Sequence, residues 1–384
     1  MTRPLRKSAL PTLPGAAADR LRFGPVMVVD LAAITANFRL LSRKTAGRTA
    51  AVVKGDGYGH GMMPAALALE AVGADLFFAA RLDDAFQLRD RLTAESTVGV
   101  LDGATDATMA EAVAARIMPV LNGPEQLAAA VRVAKDRGAK VRAFVHIDTA
   151  MNRLGFGPRD ARLLEDGLNA IDVQAYMTHF AGADDLDLDL CRAQVRRLKL
   201  AVRVLPHAPL SIANSCGLFL GAAFHGAITR PGKATFGINP MPGQTNPMAE
   251  PAAVYAPVVQ IRQLRKGEAV GYSSTWRAVS ARRIAVLAIG YSNGLRRSAS
   301  NQGSVAFDGR IVPVVGRVSM DLTAVDITDL SESTVKVGSI AEVVGPTIPY
   351  EVLASSEATN EHEALIALGA GCPRFHINGQ GGGP

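Results

Sequence analysis

What most limits the fold of this chain is a rhythm. Between residue 26 and about residue 240, short β-prone runs alternate with longer helix-prone stretches. The strand candidates are residues 50–54, 75–79, 97–101, 117–121, 143–148, 173–180, 210–215 and 228–232. Between them, residues 64–72, 82–92, 106–115 and 124–137 carry the Ala, Leu, Glu and Arg of helices. Most strand candidates are continuous apolar runs, as parallel strands buried on both faces require. About eight such units predict an α/β class with an N-terminal (β/α)8 barrel over residues 25–244. An open doubly wound sheet fits less well. No G-x-G-x-x-G follows the first strand, and the units are too many for one such half.

After about residue 244 the texture changes. Hairpin-like strand candidates take over at 258–262, 283–289, 303–307, 311–315, 323–327 and 340–343. The Asp308-Gly309 pair is a two-residue hairpin signal. Residues 245–384 therefore read as a C-terminal, mostly antiparallel β domain, joined through the Pro-, Gly- and Asn-rich stretch 239–251. Residues 1–24 are expected to be a disordered leader and the Gly-rich end 379–384 a frayed tail. Cys191, Cys216 and Cys372 are odd in number and widely spaced, which fits a reducing, cytoplasmic setting and no zinc site. Forty-one Lys and Arg against 35 Asp and Glu leave a net charge of +6, but the basic residues are scattered. Nucleic acid is not an expected partner, and no apolar run is long enough for a membrane span.

Unusual polar residues fall at the ends of the proposed barrel strands. Lys54 ends the first, Asp148 and Arg153 follow the fifth, His179 ends the sixth, Ser215 the seventh, and Arg230 to Gly232 the eighth. The C-terminal rim of such a barrel is where active sites are built. A Lys at that rim is partly desolvated, which lowers its pKa and makes it a candidate Schiff-base amine. Taken singly, each residue has a plainer reading. Lys54 by position alone is a snorkelling strand-end Lys, Tyr272 an interface aromatic, His179 a satisfied structural His. Met320 reads as core, and the remaining histidines show no metal spacing.

The string AVVKGDGYGHG at 51–61 closely resembles the cofactor-lysine motif of alanine racemases, the barrel-type (fold III) pyridoxal-phosphate enzymes. The resemblance continues in order through IDTAMNRLGF at 147–156, MTHFA at 177–181, IANS at 212–215 and RPG at 230–232. It goes on through GYSSTW at 271–276, IGYSNG at 289–294 and GRVSMD at 316–321, and covers roughly residues 26–375. It implies pyridoxal 5'-phosphate as cofactor, racemisation of alanine, and a homodimer with shared active sites. Lys54 then holds the cofactor and is one catalytic base. Tyr272, from the partner subunit, is the opposite base. Tyr58, Asn214, Ser215 and backbone amides at Gly232 and Lys233 would bind the cofactor's phosphate end. Arg153 approaches its phenolic oxygen, His179 packs on its ring and Arg230 meets its pyridine nitrogen. Arg153 and the Met320 backbone would hold the substrate carboxylate, Tyr291 would line the access path, and Asp321 would support the site. The family's product, D-alanine, implies a role in supplying the peptidoglycan of the bacterial cell wall.

Two bases on opposite faces of one carbon allow inversion without either moving. A Tyr titrates near 10, so it needs a nearby cation to act as a base, and the His179–Arg230 pair is the expected source. The chain also departs from the family pattern. His146 replaces a Lys that is commonly carbamylated, Ala150 a Gly, Phe236 a Tyr, Asn293 an Asp and Ser273 a Gly. Two alternatives stay open on these grounds. One is a racemase for serine or a broader set of small amino acids, and the other a pyridoxal-phosphate-binding protein without turnover.

Overall fold

A computed structural model describes Leu13 and residues 15–379, and the chain divides into two compact units. One holds residues 34–57 and 62–249; the other holds residues 1–33, 58–61 and 250–384.

The first unit is a parallel barrel. Its strands follow one another in sequence order around the sheet, from Ala51–Val52 through Leu76–Ala79, Thr97–Val100, Ile117–Leu121, Val141–His146, Ile171–Met177 and Leu210–Ser211 to Ile228–Thr229. The ring returns to its start because the first strand is split at Ala50. Its first half, Arg48–Thr49, pairs with Ile228–Thr229, and its second half pairs with Leu76–Ala79. Helices such as Met62–Glu70, Leu82–Arg91, Pro124–Arg137 and Leu188–Ala201 connect the strands.

Alternate residues fill the inside. Ala50, Val52, Leu76, Phe78, Met118, Val120, Phe144, Ala175, Met177 and Ile228 form one buried cluster. The Phe78 and Phe144 rings lie 5.1 Å apart at 58°. Gly99 makes room for them: a Cβ there would stand 2.5 Å from the Phe78 ring. Layers of large and small side chains from neighbouring strands are how such a barrel closes without a pore.

The second unit is built on the long strand Ala252–Leu264. Its first part lies between Val26–Asp30 and Ile340–Val344, and its second part pairs with Arg282–Leu287, with a register shift between Val258 and Gln260. The hairpin Ser304–Phe307 and Arg310–Pro313 turns through Asp308 at φ 45° and Gly309 at φ 78°, both left-handed as a two-residue turn of this kind demands.

Two expectations are corrected here. Val26–Asp30 does not open the barrel at residue 25. It joins the second unit's sheet, antiparallel to Ala252–Leu264 and parallel to Arg374–Ile377. Its run Val-Met-Val-Val is buried from both sides, which in sequence is indistinguishable from a barrel strand. Next, part of the expected disordered leader is a helix, Gly15–Leu21, with Ala17 and Leu21 packed among Val26, Val28 and Tyr255. Most of residues 1–14 and the tail 380–384 lie outside the described residues. The mostly antiparallel second unit also carries the helices Tyr350–Ser356 and Glu361–Gly371.

The leader helix has an energetic consequence. Leu21 is 3% exposed. Leu21→Ala should destabilise the fold by about 2–4 kcal/mol through the lost burial and the cavity left behind. Urea denaturation would show this as a lower midpoint; an unchanged midpoint would return residues 15–21 to a loose leader.

Candidate active site

Residues from five strand ends of the barrel meet in one cleft of about 300 Å³, lined by Lys54, Asp102, His146, Arg153, His179 and Arg230 among others. Lys54 stands just beyond the split first strand. Burial does most to push its amine below the usual Lys range. Arg153 and Arg230 add to this, while Asp102 opposes it. The fraction of neutral, nucleophilic amine at physiological pH rises accordingly.

Arg230 is buried, and burial pulls it down to about 10, so it remains a cation near neutral pH. One arm bonds the Ser211 hydroxyl and the other donates to the Thr178 carbonyl at 2.5 Å. No carboxylate pairs with it among the described residues. Its positive charge is therefore left for the cleft. The two histidines there stay neutral. Burial, with Arg230 next, lowers His179 to about 3 and His146 to about 4. Nδ1 of His146 sits 2.9 Å from Oδ1 of Asn122, whose amide in turn donates to the carbonyls of Leu101 and Val120. The Asn122 oxygen accepts, so Nδ1 carries the proton and Nε2 keeps its lone pair.

The loop bearing Arg153 is tied at its root. Oδ1 of Asp148 accepts from the backbone of Ala150, Met151 and Asn152 at 3.0, 2.9 and 3.2 Å. These bonds offset a strained backbone, for Ala150 has φ 119° and Asn152 φ 54°. Ala150 is one of the two positions where the resemblance leads one to expect a glycine, and an L-residue at this φ costs on the order of 1–3 kcal/mol. Ser273, the other, has φ 60°.

At the far end of the barrel rim, Ser215 is 3% exposed and its Oγ accepts from the amides of Gly232 at 3.0 Å and Ala234 at 3.1 Å. The hydroxyl proton is left to donate outward. The Gly232 amide, expected to meet a ligand directly, is thus engaged by Ser215. Asn214 also serves the turn, as its Oδ1 accepts from Gly217 N at 2.9 Å. Lys233 forms an ion pair with Asp184.

The expected residues of the second unit also come together. Tyr291 N donates to Ser319 O at 3.0 Å and Ser292 N to Met320 O at 2.9 Å. Ser292 Oγ reaches Asp321 Oδ1 at 2.6 Å. Gly271 backs onto Arg317, with a Cβ position 3.3 Å from its amide. Tyr272 beside it is 66% exposed, Met320 56% and Tyr291 44%. Tyr58 lies in the second unit by residue grouping, in the loop 58–61.

Sequence reasoning missed three supports. Asp102 reaches the cleft from the strand Thr97–Val100 side, and Asn122 orients His146. Gln194 is fully buried and donates to His179 O at 2.9 Å while its Oε1 accepts from Ala181 N at 2.9 Å, which holds the His179 loop. A Gln inside a helix carries no sequence signal for this.

Residues 29–240 match the family model for the alanine racemase N-terminal domain, and residues 252–376 match that for the C-terminal domain. The chain belongs to the alanine racemase family. An alanine racemase of Acidiphilium cryptum is 39% identical over 357 residues, covering 91% of this chain and 97% of the relative. A protein of Mesorhizobium japonicum described as a catabolic alanine racemase is 36% identical over 380 residues, covering 98% of both chains. The crystal structure of alanine racemase from Bartonella henselae with covalently bound pyridoxal phosphate superposes with a TM-score of 0.89 at 31% identity. It covers 92% of this chain and 99% of its own. The donor set here suits that alanine racemase cofactor: a desolvated amine for its aldehyde, unpaired buried cationic charge, and a hydroxyl backed by two amides for its phosphate.

The neutral histidines make a testable statement about pH. An unfolded His takes up a proton near 6.5, whereas folded His146 does so only at about 4. Its depressed value contributes stability that is present above about pH 6.5 and lost as pH falls through 4. His146→Gln should flatten this part of the decline. Urea midpoints at pH 7, 5.5 and 4.5 would check it, and a decline as steep as in the parent chain would refute it.

Proposed function

We propose that this alanine racemase works through two bases, Lys54 on one face of the substrate α-carbon and Tyr272 of a partner copy on the other. The reaction is the family's own, pyridoxal-phosphate-dependent interconversion of L- and D-alanine. The single observation that carries the reading is the Lys54 amine, held below the ordinary Lys range in a cleft that also contains Arg153 and Arg230.

When bound, the cofactor supplies an electron sink for the pair left behind at the α-carbon. The chain's residues do the rest. Lys54 takes or returns the α-proton on its side, which a depressed amine pKa makes feasible near neutral pH. Tyr272 does the same on the opposite side. Arg153 holds the substrate carboxylate, and the carboxylate of Asp148 fixes the loop that aims it. Arg230 remains a cation, so it disfavours a proton on a ring nitrogen placed against it, which limits how far charge spreads and restrains side reactions. His179 stays neutral and offers a flat face for a ring. Ser215 donates its hydroxyl proton to phosphate.

The exposure of Tyr272, Tyr291 and Met320 supports a homodimer in which these groups complete a neighbour's cleft. Three cysteines, all free and buried, support a reducing compartment such as the cytoplasm. Among the described residues no helix is long and apolar enough to cross a membrane. Two departures from the family pattern have internal duties rather than a place in the cleft. Phe236 is fully buried. Asn293 accepts from Gly290 N and donates to Gly371 O at 3.3 Å. Alanine is therefore favoured over a wider substrate range, and D-alanine for peptidoglycan is the corresponding physiological product.

Tyr272→Phe should keep the cofactor's visible absorbance and lose racemisation by about 100-fold or more, the size expected for removing a general base. Exchange of the α-proton in deuterated water should persist for one alanine enantiomer, the one that Lys54 serves. Full-rate interconversion of both enantiomers by the variant would rule out the two-base scheme.

A further inference from the structure

The loop after Lys54 is wound in a conformation that L-residues avoid. Gly55, Asp56 and Gly57 have φ of 61°, 51° and 62°, and Tyr58, Gly59 and Gly61 have φ of 53°, 85° and 99°. For Asp56 and Tyr58 the left-handed region costs on the order of 1–2 kcal/mol each. Such a backbone persists only where its surroundings over-determine it. Asp56 is held by its own carboxylate, which accepts from Met62 N at 2.7 Å.

Tyr58 is held from elsewhere. Three successive carbonyls, of Tyr58, Gly59 and His60, are each met by a side-chain donor. Nδ1 of His60 bonds Tyr58 O at 2.9 Å, Arg374 donates to Gly59 O at 3.3 Å, and Nε2 of His376 donates to His60 O at 2.7 Å. The His60 ring is fully buried, with Nε2 3.4 Å from the Tyr350 hydroxyl. That hydroxyl accepts from Ala252 N at 2.6 Å. The backbone approaches helix Glu361–Gly371 so closely that a Cβ on Gly369 would stand 1.9 Å from Gly59 O. The strand Arg374–Ile377 thus supplies two of the three donors, more than 300 residues along the chain from the carbonyls they hold.

We propose that His60, Arg374 and His376 are positioning residues for Tyr58: by clamping three consecutive carbonyls they fix the backbone that aims its hydroxyl, and so set the grip on the cofactor's phosphate. This rests on the reading of Tyr58 as a phosphate contact. The cofactor has a fixed length between its aldehyde and its phosphate. A left-handed turn free to relax would not hold Tyr58 in place for the phosphate end. The clamp therefore acts on phosphate affinity and leaves the aldehyde end alone.

The test compares full-length proteins binding pyridoxal phosphate and unphosphorylated pyridoxal by equilibrium dialysis. His376→Leu should weaken pyridoxal phosphate by about tenfold, the size seen when an outer support of a binding group is removed. Pyridoxal affinity should stay within about twofold. His376→Gln, which keeps a donor, should restore most of the loss. Adding His376→Leu to Tyr58→Phe should cost nothing more. Arg374→Met repeats the test should His376→Leu fail to fold. Equal weakening of both ligands, or no weakening of either, overturns the proposal while Tyr58→Phe still lowers phosphate discrimination. If Tyr58→Phe itself leaves that discrimination unchanged, the reading of Tyr58 falls and the proposal falls with it.

Discussion

A lysine amine kept from water among fixed cations is the condition on which the rest of the site depends. Lys54 sits with Arg153 and Arg230 in the same cleft, and Asp102 offsets only part of their effect. An exposed Lys would be almost wholly protonated at neutral pH and useless as a nucleophile or base. Burying one amine beside two guanidinium groups is costly for a folded chain. The cost is bearable because Arg230 is tied to the Ser211 hydroxyl and the Thr178 carbonyl, and the Arg153 loop is held by the Asp148 carboxylate. An anionic ligand would relieve the remaining repulsion. The same charge pattern that weakens the protonated form of Lys54 thus makes the cleft receptive to phosphate and carboxylate groups.

The imidazoles extend this logic. Burial keeps a proton off both His residues here, and the neighbouring cations add to the penalty. His146 then contributes a lone pair rather than a charge, in a tautomer that Asn122 sets. Where many relatives are expected to carry a modified, anionic Lys, this chain has a neutral acceptor. The local field around Arg153 is correspondingly more positive.

Much of the barrel and its rim could be read from sequence because parallel strands are apolar throughout and their polar terminators stand out. Lys54, Arg153, His179 and Arg230 share the cleft as the rhythm of strands implied, and His146 joins them. What was not legible depended on partners far along the chain. Val26–Asp30 has the composition of a barrel strand, and only its pairing with Ala252–Leu264 and Arg374–Ile377 reveals its sheet. Helix Glu361–Gly371 was hidden by its glycines, which look like loop residues but are there to let backbones touch. The internal partners of Asn214 and the Gly232 amide, a turn and a serine hydroxyl, were likewise hidden in the motif. The functional meaning of the blocks came from family resemblance; spacing alone left plainer readings standing.

The place of Val26–Asp30 has a consequence for how the molecule is made. Both of its neighbours in the sheet, Ala252–Leu264 and Arg374–Ile377, emerge from the ribosome only after the barrel strands that follow it. During synthesis this strand must wait, apolar and without hydrogen-bonding neighbours, while the barrel that follows it can already assemble. The nascent chain therefore carries this apolar strand unpaired until both partners have been made, and the demand on chaperones falls on that segment rather than on the catalytic barrel.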